Sequence, residues 1–187
     1  DAQTGWASGL DAVFLKTYDG GESWAVQFAA PERETTLFKI AFLDRERGLA
    51  VGAYGLAFAT EDGGTTWREI RITEEDPHLY HIARLDDGRL LVAGEFGSLF
   101  ESRDGAASWR AIESPYEGTF FGLGQAADGA LYAYGLQGNV FESRDGGASW
   151  RTIDTGLSAG LTGSVALADG GFLIVGLQGA IVRRGPG

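Results

Sequence analysis

The chain has no cysteine and no methionine, and only four prolines and two histidines in 187 residues. Without thiols it forms no disulfide and no thiolate metal site, an absence that leaves its compartment open. His78 and His81 lack the His, Cys and carboxylate spacing of a metal centre, so no metal and no cofactor are expected. No run approaches the ~20 apolar residues of a membrane-spanning helix. Basic residues are scarce: 15 Lys and Arg stand against 26 Asp and Glu, a net charge of −11. That balance argues against a nucleic-acid partner, whose phosphates attract Lys/Arg-rich faces. It is compatible with basic partners but names none. A long amphipathic pattern of helical period is also missing, which together with thirty glycines describes an all-β repeat protein.

What is present is one phrase in four copies: Thr17-Tyr-Asp19-Gly-Gly21-Glu-Ser23-Trp24, Thr60-Glu-Asp62-Gly-Gly64-Thr-Thr66-Trp67, Ser102-Arg-Asp104-Gly-Ala106-Ala-Ser108-Trp109 and Ser143-Arg-Asp145-Gly-Gly147-Ala-Ser149-Trp150. The tryptophans recur roughly every 42 residues, and a period of ~40–45 residues is what a four-stranded propeller blade needs. In each copy the Asp accepts backbone N–H bonds, the glycines supply unusual backbone angles and the hydroxyls add local bonds. The Trp opens the next strand as a large apolar anchor whose N–H needs a partner. Each box follows a short β-type run, so strand, Asp turn and Trp-led strand form the outer hairpin of a blade. Asp19, Trp24, Asp62, Trp67, Asp104, Trp109, Asp145 and Trp150 are read as structural.

The rest of the period repeats too. Apolar runs end in Gly-x-x-Gly at Gly52–Gly55, Gly94–Gly97, Gly135–Gly138 and Gly176–Gly179, with a weaker form at Gly9-Leu-Asp11-Ala12. A further apolar run precedes each, so a full unit has four strands, A to D from inside out. The units are 1–30, 31–72, 73–113, 114–154 and 155–187. The first enters in strand B, because Gly5-Trp6-Ala7 aligns with Gly48-Leu49-Ala50, and the last stops where its Asp turn should begin. Three strands, three sets of four, then three describe four to five blades and an incomplete arc of a larger propeller, since an unclosed one exposes strand edges. An unusual small ring with two degenerate junctions is the alternative.

The boxes are Asp-boxes, or BNR repeats. The stretches Gly52-Ala-Tyr-Gly-Leu-Ala-Phe-Ala-Thr-Glu-Asp-Gly-Gly64 and Ser114-Pro-Tyr-Glu-Gly-Thr-Phe-Phe-Gly122 resemble the photosystem II stability/assembly factor-like family, over essentially the whole chain. The resemblance implies seven blades and an extracytoplasmic, periplasmic location, with any signal peptide preceding Asp1. It also implies a protein partner: photosynthetic members help membrane complexes assemble, and relatives in non-photosynthetic bacteria are linked to RND-type transporters. A membrane transporter or membrane-complex subunit is therefore the expected partner of a chain that does not itself span the membrane. The photosynthetic members are associated with an arginine-rich patch. Here the arginines sit in turns (Arg45, Arg47, Arg89), in boxes (Arg103, Arg144) and after box tryptophans (Arg68, Arg110, Arg151), where they read as solvated cover on an outer strand. The photosystem role is not carried over.

Sialidases and other glycosidases share the box, so a glycan-binding or sialidase-like glycoside hydrolase is the rival reading. A sialidase needs three arginines converging near the channel, a Tyr activated by Glu and an Asp acid. Only Arg84 lies on an innermost strand, and Tyr116 and Glu117 are adjacent in sequence without thereby forming a nucleophile–base pair. No catalytic residue is assigned. The binding reading uses the face where the B–C turns and the D–A connections emerge. The turns present Asp11, Tyr54, Glu95, Phe96, Gln137 and Gln178, and the connections add His78, Tyr80, His81, Tyr116 and Glu117. Lys39, His81, Gly122 and Gly163 share one strand-A position that is expected to line the channel. Aromatic residues are concentrated on this face, and such residues are enriched at interface centres. Phe120 and Phe121 read instead as core. The two histidines read as ordinary polar residues, although a cluster near the channel would titrate close to neutral pH. The expectation is a non-catalytic protein-interaction or assembly propeller of the bacterial cell envelope.

Overall fold

The computed structural model describes residues 2–185, and apart from single 3₁₀ turns all regular structure in them is β. Five antiparallel sheets follow one another, each a meander in which every strand pairs with the next in sequence. The first holds β1 (Gly5–Ser8), β2 (Phe14–Thr17) and β3 (Ala25–Phe28). The second holds β4 (Leu37–Phe42), β5 (Gly48–Gly52), β6 (Ala57–Thr60) and β7 (Arg68–Ile70). The third holds β8 (Leu79–Arg84), β9 (Leu90–Gly94), β10 (Leu99–Ser102) and β11 (Arg110–Ala111). The fourth holds β12 (Phe120–Gln125), β13 (Leu131–Gly135), β14 (Val140–Ser143) and β15 (Arg151–Ile153), and the fifth β16 (Leu161–Ala166), β17 (Phe172–Gly176) and β18 (Ile181–Arg184). These are the blades of a β-propeller. The chain forms two compact units that divide between Ile82 and Ala83, inside β8.

The middle strands explain themselves. β5, β9 and β13 are buried along their whole length and read as unbroken apolar runs, as strands covered on both faces must. The outermost strands are short and solvated, which keeps sheet edges from pairing with other chains. In the first unit Phe14 stacks flat on Trp67 at 4.0 Å and meets Phe58 edge-on at 5.7 Å, at the centre of a core with Leu37 and Ala50. In the second unit Leu91, Phe120, Leu131 and Phe141 fill one core. Tyr132 stacks on Phe172 at 4.8 Å in the next.

The Asp boxes are closed hydrogen-bonded turns. In the third sheet's box Asp104 accepts from Ser102 Oγ at 2.8 Å, Ser108 N at 2.9 Å and Ser108 Oγ at 2.5 Å. Asp19, Asp62 and Asp145 do the same with their own Ser and Thr neighbours. The boxes also fasten neighbouring sheets. Gly63 O accepts from Lys16 Nζ at 2.7 Å and Trp6 Nε1 at 3.1 Å, tying the first sheet to the second. Gly146 O accepts from Arg89 Nη1 at 2.7 Å, tying the third to the fourth.

One expectation needs correction. Of the four box tryptophans, Trp24 alone donates its indole N–H to an acceptor, Gly21 O at 3.2 Å; the N–H groups of Trp67, Trp109 and Trp150 are buried with no hydrogen-bond partner among the described residues. Trp67 and Trp150 pack into the apolar clusters beside them. Burying so large a ring outweighs one neutral hydrogen bond.

Candidate partner-binding surface

The turn between β1 and β2 of the first sheet, and between the second and third strands of each other sheet, holds a residue in a backbone conformation that L side chains resist. Asp11, Tyr54, Phe96, Gln137 and Gln178 have φ of 57°, 56°, 54°, 58° and 56°. The following residue is also left-handed in every case, so the turns are of the two-residue kind that matches strand twist. Glycine, asparagine or aspartate normally fills the first of these positions, because a larger side chain there costs roughly 1–2 kcal/mol. Tyr54, Phe96, Gln137 and Gln178 all break that rule, and the two aromatic rings among them stand in solvent, 66% and 78% exposed. Backbone preference and the hydrophobic effect both oppose this placement. Burial in a core does not account for it.

The turns are clamped by the connections between sheets. Ala53 N donates to Thr36 O at 2.9 Å and Gly55 N to Pro77 O at 2.8 Å; in the second unit Gly97 N donates to Gly118 O at 2.6 Å. Gly97 is irreplaceable on two counts, a φ of +68° and the Tyr116 carbonyl where a Cβ would be.

In the first unit this clamp assembles four rings. Tyr54 meets His78 edge-on at 4.7 Å, and Phe38 stacks on Tyr80 at 5.0 Å. Phe38 and His78 lie 6.0 Å apart, and Tyr80 Oη is 3.4 Å from His78 Nδ1. Tyr54, His78 and Tyr80 were expected on one face; Phe38 was not. It sits where the β4–β5 register skips a residue between Leu37 and Lys39, and such a bulge re-aims a side chain. The signal was available one residue before the Lys39 position, where Phe38, Tyr80 and Phe121 recur. An open groove of about 550 Å³ borders Tyr54, lined also by Arg33, Arg71, Glu75 and Asp76.

The remaining candidates are placed singly. Lys39 is half-buried opposite Val51, and His81 is half-buried on β8. Asp11, Gln137 and Gln178 are exposed at their turns, Glu117 is exposed and Glu95 is half-buried. Tyr116 packs against Phe120 and Phe141 at 5.6 and 5.5 Å, on the edge of the core. Phe120 is buried and Phe121 half-buried.

The repeated carboxylates, those of the boxes and of Glu101 and Glu142, are already engaged. Hydroxyl and backbone donors, the Ser or Thr before the Trp above all, hold Asp62, Asp104 and Asp145 down to about 2, and Asp19 lower still. Glu101, 2% exposed, is met by Arg89 at 3.1 Å, Arg103 at 3.0 Å and Arg110. Glu142 is met by Arg144 at 2.9 Å, by Arg151 and by Tyr132 Oη at 3.1 Å. Burial pushes both glutamates up, but these hydrogen bonds outweigh it and both stay below their ordinary value. Arg103, Arg110, Arg144 and Arg151, read as plain cover, therefore hold buried charges, whereas Arg68 meets the exposed Glu61. The repeated Phe-Glu-Ser-Arg of Phe100–Arg103 and Phe141–Arg144 carried that information. Among the described residues no group of three His, Asp or Glu is arranged to hold a metal ion, and no helix is long and apolar enough to cross a membrane.

The family model of the Photosynthesis system II assembly factor YCF48 matches residues 1–158. A structure of YCF48 bound to a D1 peptide aligns with a TM-score of 0.75 and 21% identity, over 98% of this chain and 62% of that one. YCF48 from Cyanidioschyzon merolae gives 0.75 and 18%, over 99% and 64%. An ancestral GH74 enzyme gives 0.73 and 16%, over 97% and 29%. The chain thus spans a little under two thirds of the solved YCF48 chains. No curated protein matches it.

Proposed function

This chain belongs to the Photosynthesis system II assembly factor YCF48 family, and we propose that it is a non-catalytic propeller that binds a segment of a partner polypeptide on its turn-and-connection surface. The observation that carries this reading is the pair of exposed aromatic rings, Tyr54 and Phe96, each held at a left-handed backbone position. Backbone strain kept at an exposed aromatic residue points to function, and aromatic anchors dominate the energetics of protein interfaces. The YCF48 relative that holds a D1 peptide supports a polypeptide as the ligand. The engagement of the box aspartates and of Glu101 and Glu142 by internal donors favours binding over hydrolysis, because each would lose several bonds before acting as an acid or nucleophile.

The proposed setting is the bacterial periplasm, with a transporter or another membrane-complex subunit as the partner. A tiled array of peptides from the envelope proteins of the source organism tests the reading. Wild type is expected to select discrete peptides, and Tyr54→Ala or Phe96→Ala is expected to lose them without a change in thermal stability. Selection that survives both substitutions, or hydrolysis of sialosides or other glycosides by the purified protein, contradicts it.

A further inference from the structure

We propose that the groove beside Tyr54 receives a lysine or arginine side chain of the partner segment, an inference that rests on the protein-binding reading above. The groove has two cations of its own, and both are occupied. Arg33 Nη2 lies 2.6 Å from Glu69, and Arg71 lies 3.5 Å from Glu74 while its Nε donates to Thr73 O at 3.2 Å. Two anions remain, since no ion pair or side-chain hydrogen bond engages the Glu75 or Asp76 carboxylate among the described residues. Asp76 lies against the turn itself: a Cβ built on Gly55, next to Tyr54, would come 3.7 Å from Asp76 Oδ1.

An exposed aromatic ring beside uncompensated carboxylates has the chemistry of a cation receptor. The ring face attracts a guanidinium or ammonium within about 6 Å, and the carboxylates add charge-assisted hydrogen bonds. His78 braces the ring edge-on, so the ring is held by its neighbour while much of its surface stays in solvent. The net charge of −11 steers a basic segment toward the surface, and the groove, about 550 Å³ in volume, has room for one long side chain. The assignment is to the Tyr54 groove; the Phe96 turn, in the other unit, follows Glu95 in sequence, meets the Tyr116 and Gly118 carbonyls on either side of Glu117, and is not part of it.

The probes are two fluorescein-labelled peptides of sequence Gly-Ser-X-Ser-X-Ser-Gly, one with arginine at X and one with citrulline, its neutral near-isostere. Anisotropy titrations at low salt are expected to show binding of the arginine peptide about tenfold tighter than of the citrulline peptide. Tyr54→Ala is expected to weaken the arginine peptide about fivefold, as loss of one cation–π contact implies. Tyr54→Phe is expected to keep binding, and E75Q/D76N to remove most of it together with its salt dependence. A control double variant, E22Q/E113Q, removes the same charge elsewhere and should bind as wild type does. Equal binding of the two peptides, or equal loss in the control, overturns the inference. If Tyr54→Ala weakens both peptides equally, the basic chemistry fails while the protein-binding reading stands. If Tyr54→Ala changes neither peptide but Phe96→Ala does, the groove is the wrong site and the inference fails.

Discussion

The Tyr54 ring stands edge-on to the His78 imidazole, with centroids 4.7 Å apart and planes at 86°. The contact joins a left-handed turn of the second sheet to the connection that leaves that sheet. It fixes the direction of a ring that the backbone already holds out of the core.

A strained turn kept for binding should become more stable when the strain is removed. Phe96→Asn replaces a mostly exposed ring with a residue that tolerates φ near 54°. It is expected to raise unfolding stability by on the order of 1 kcal/mol, read from urea denaturation by circular dichroism. Tyr54→Asn should gain less, because it also loses the edge-on contact with His78, worth about 0.5–1.5 kcal/mol. Both variants should bind the partner more weakly than wild type.

Tyr116 and Tyr54 should part company in stability. Tyr116→Ala removes a ring packed on Phe120 and Phe141 and is expected to cost about 2–3 kcal/mol. Tyr54→Ala should stay within about 1 kcal/mol of wild type. Loss of binding in Tyr116→Ala would therefore report on folding, and its urea midpoint shows which.

The arginines around Glu101 are unequal. Arg89 is 13% exposed and bridges Asp87, Glu101 and Gly146 O, whereas Arg103 is 62% exposed. Arg89→Ala is expected to destabilise by about 2–3 kcal/mol, because it removes a partner from a buried charge and unfastens two sheets. Arg103→Ala should cost under about 1 kcal/mol.

The boxes should resist acid. Their aspartates sit near 2 in Asp62, Asp104 and Asp145, against ~3.9 in an unfolded chain. A depressed carboxylate contributes its full stabilisation above the unfolded value and loses it as pH falls through the folded one. Thermal midpoints should therefore fall between pH 4 and pH 2, and D104N should flatten that fall.

Much of the fold was legible because its signals are local. The four boxes fixed the hairpins, and the Gly-x-x-Gly runs marked the turns where Tyr54 and Phe96 now stand. Phe38 was legible only from its recurrence with Tyr80 and Phe121 one residue before the Lys39 position, because the β-bulge that turns it toward Tyr80 leaves no fixed residue signature. The Arg89 bridge to Gly146 joins residues 57 apart in sequence, and spacing within one repeat does not reveal contacts between repeats. The indole N–H groups of Trp67, Trp109 and Trp150 went unpaired because packing of the ring decided their positions.

Site-specific photo-crosslinking tests the central claim most directly. Benzoylphenylalanine is placed at position 54, 96 or 18 of the full-length protein in its own cells, Tyr18 being an exposed residue of the box turn between β2 and β3. Polypeptide adducts at 54 or 96, competed by an array-selected peptide and absent at 18, are the predicted result. Equal adducts at all three positions, or none at 54 and 96, would contradict the account.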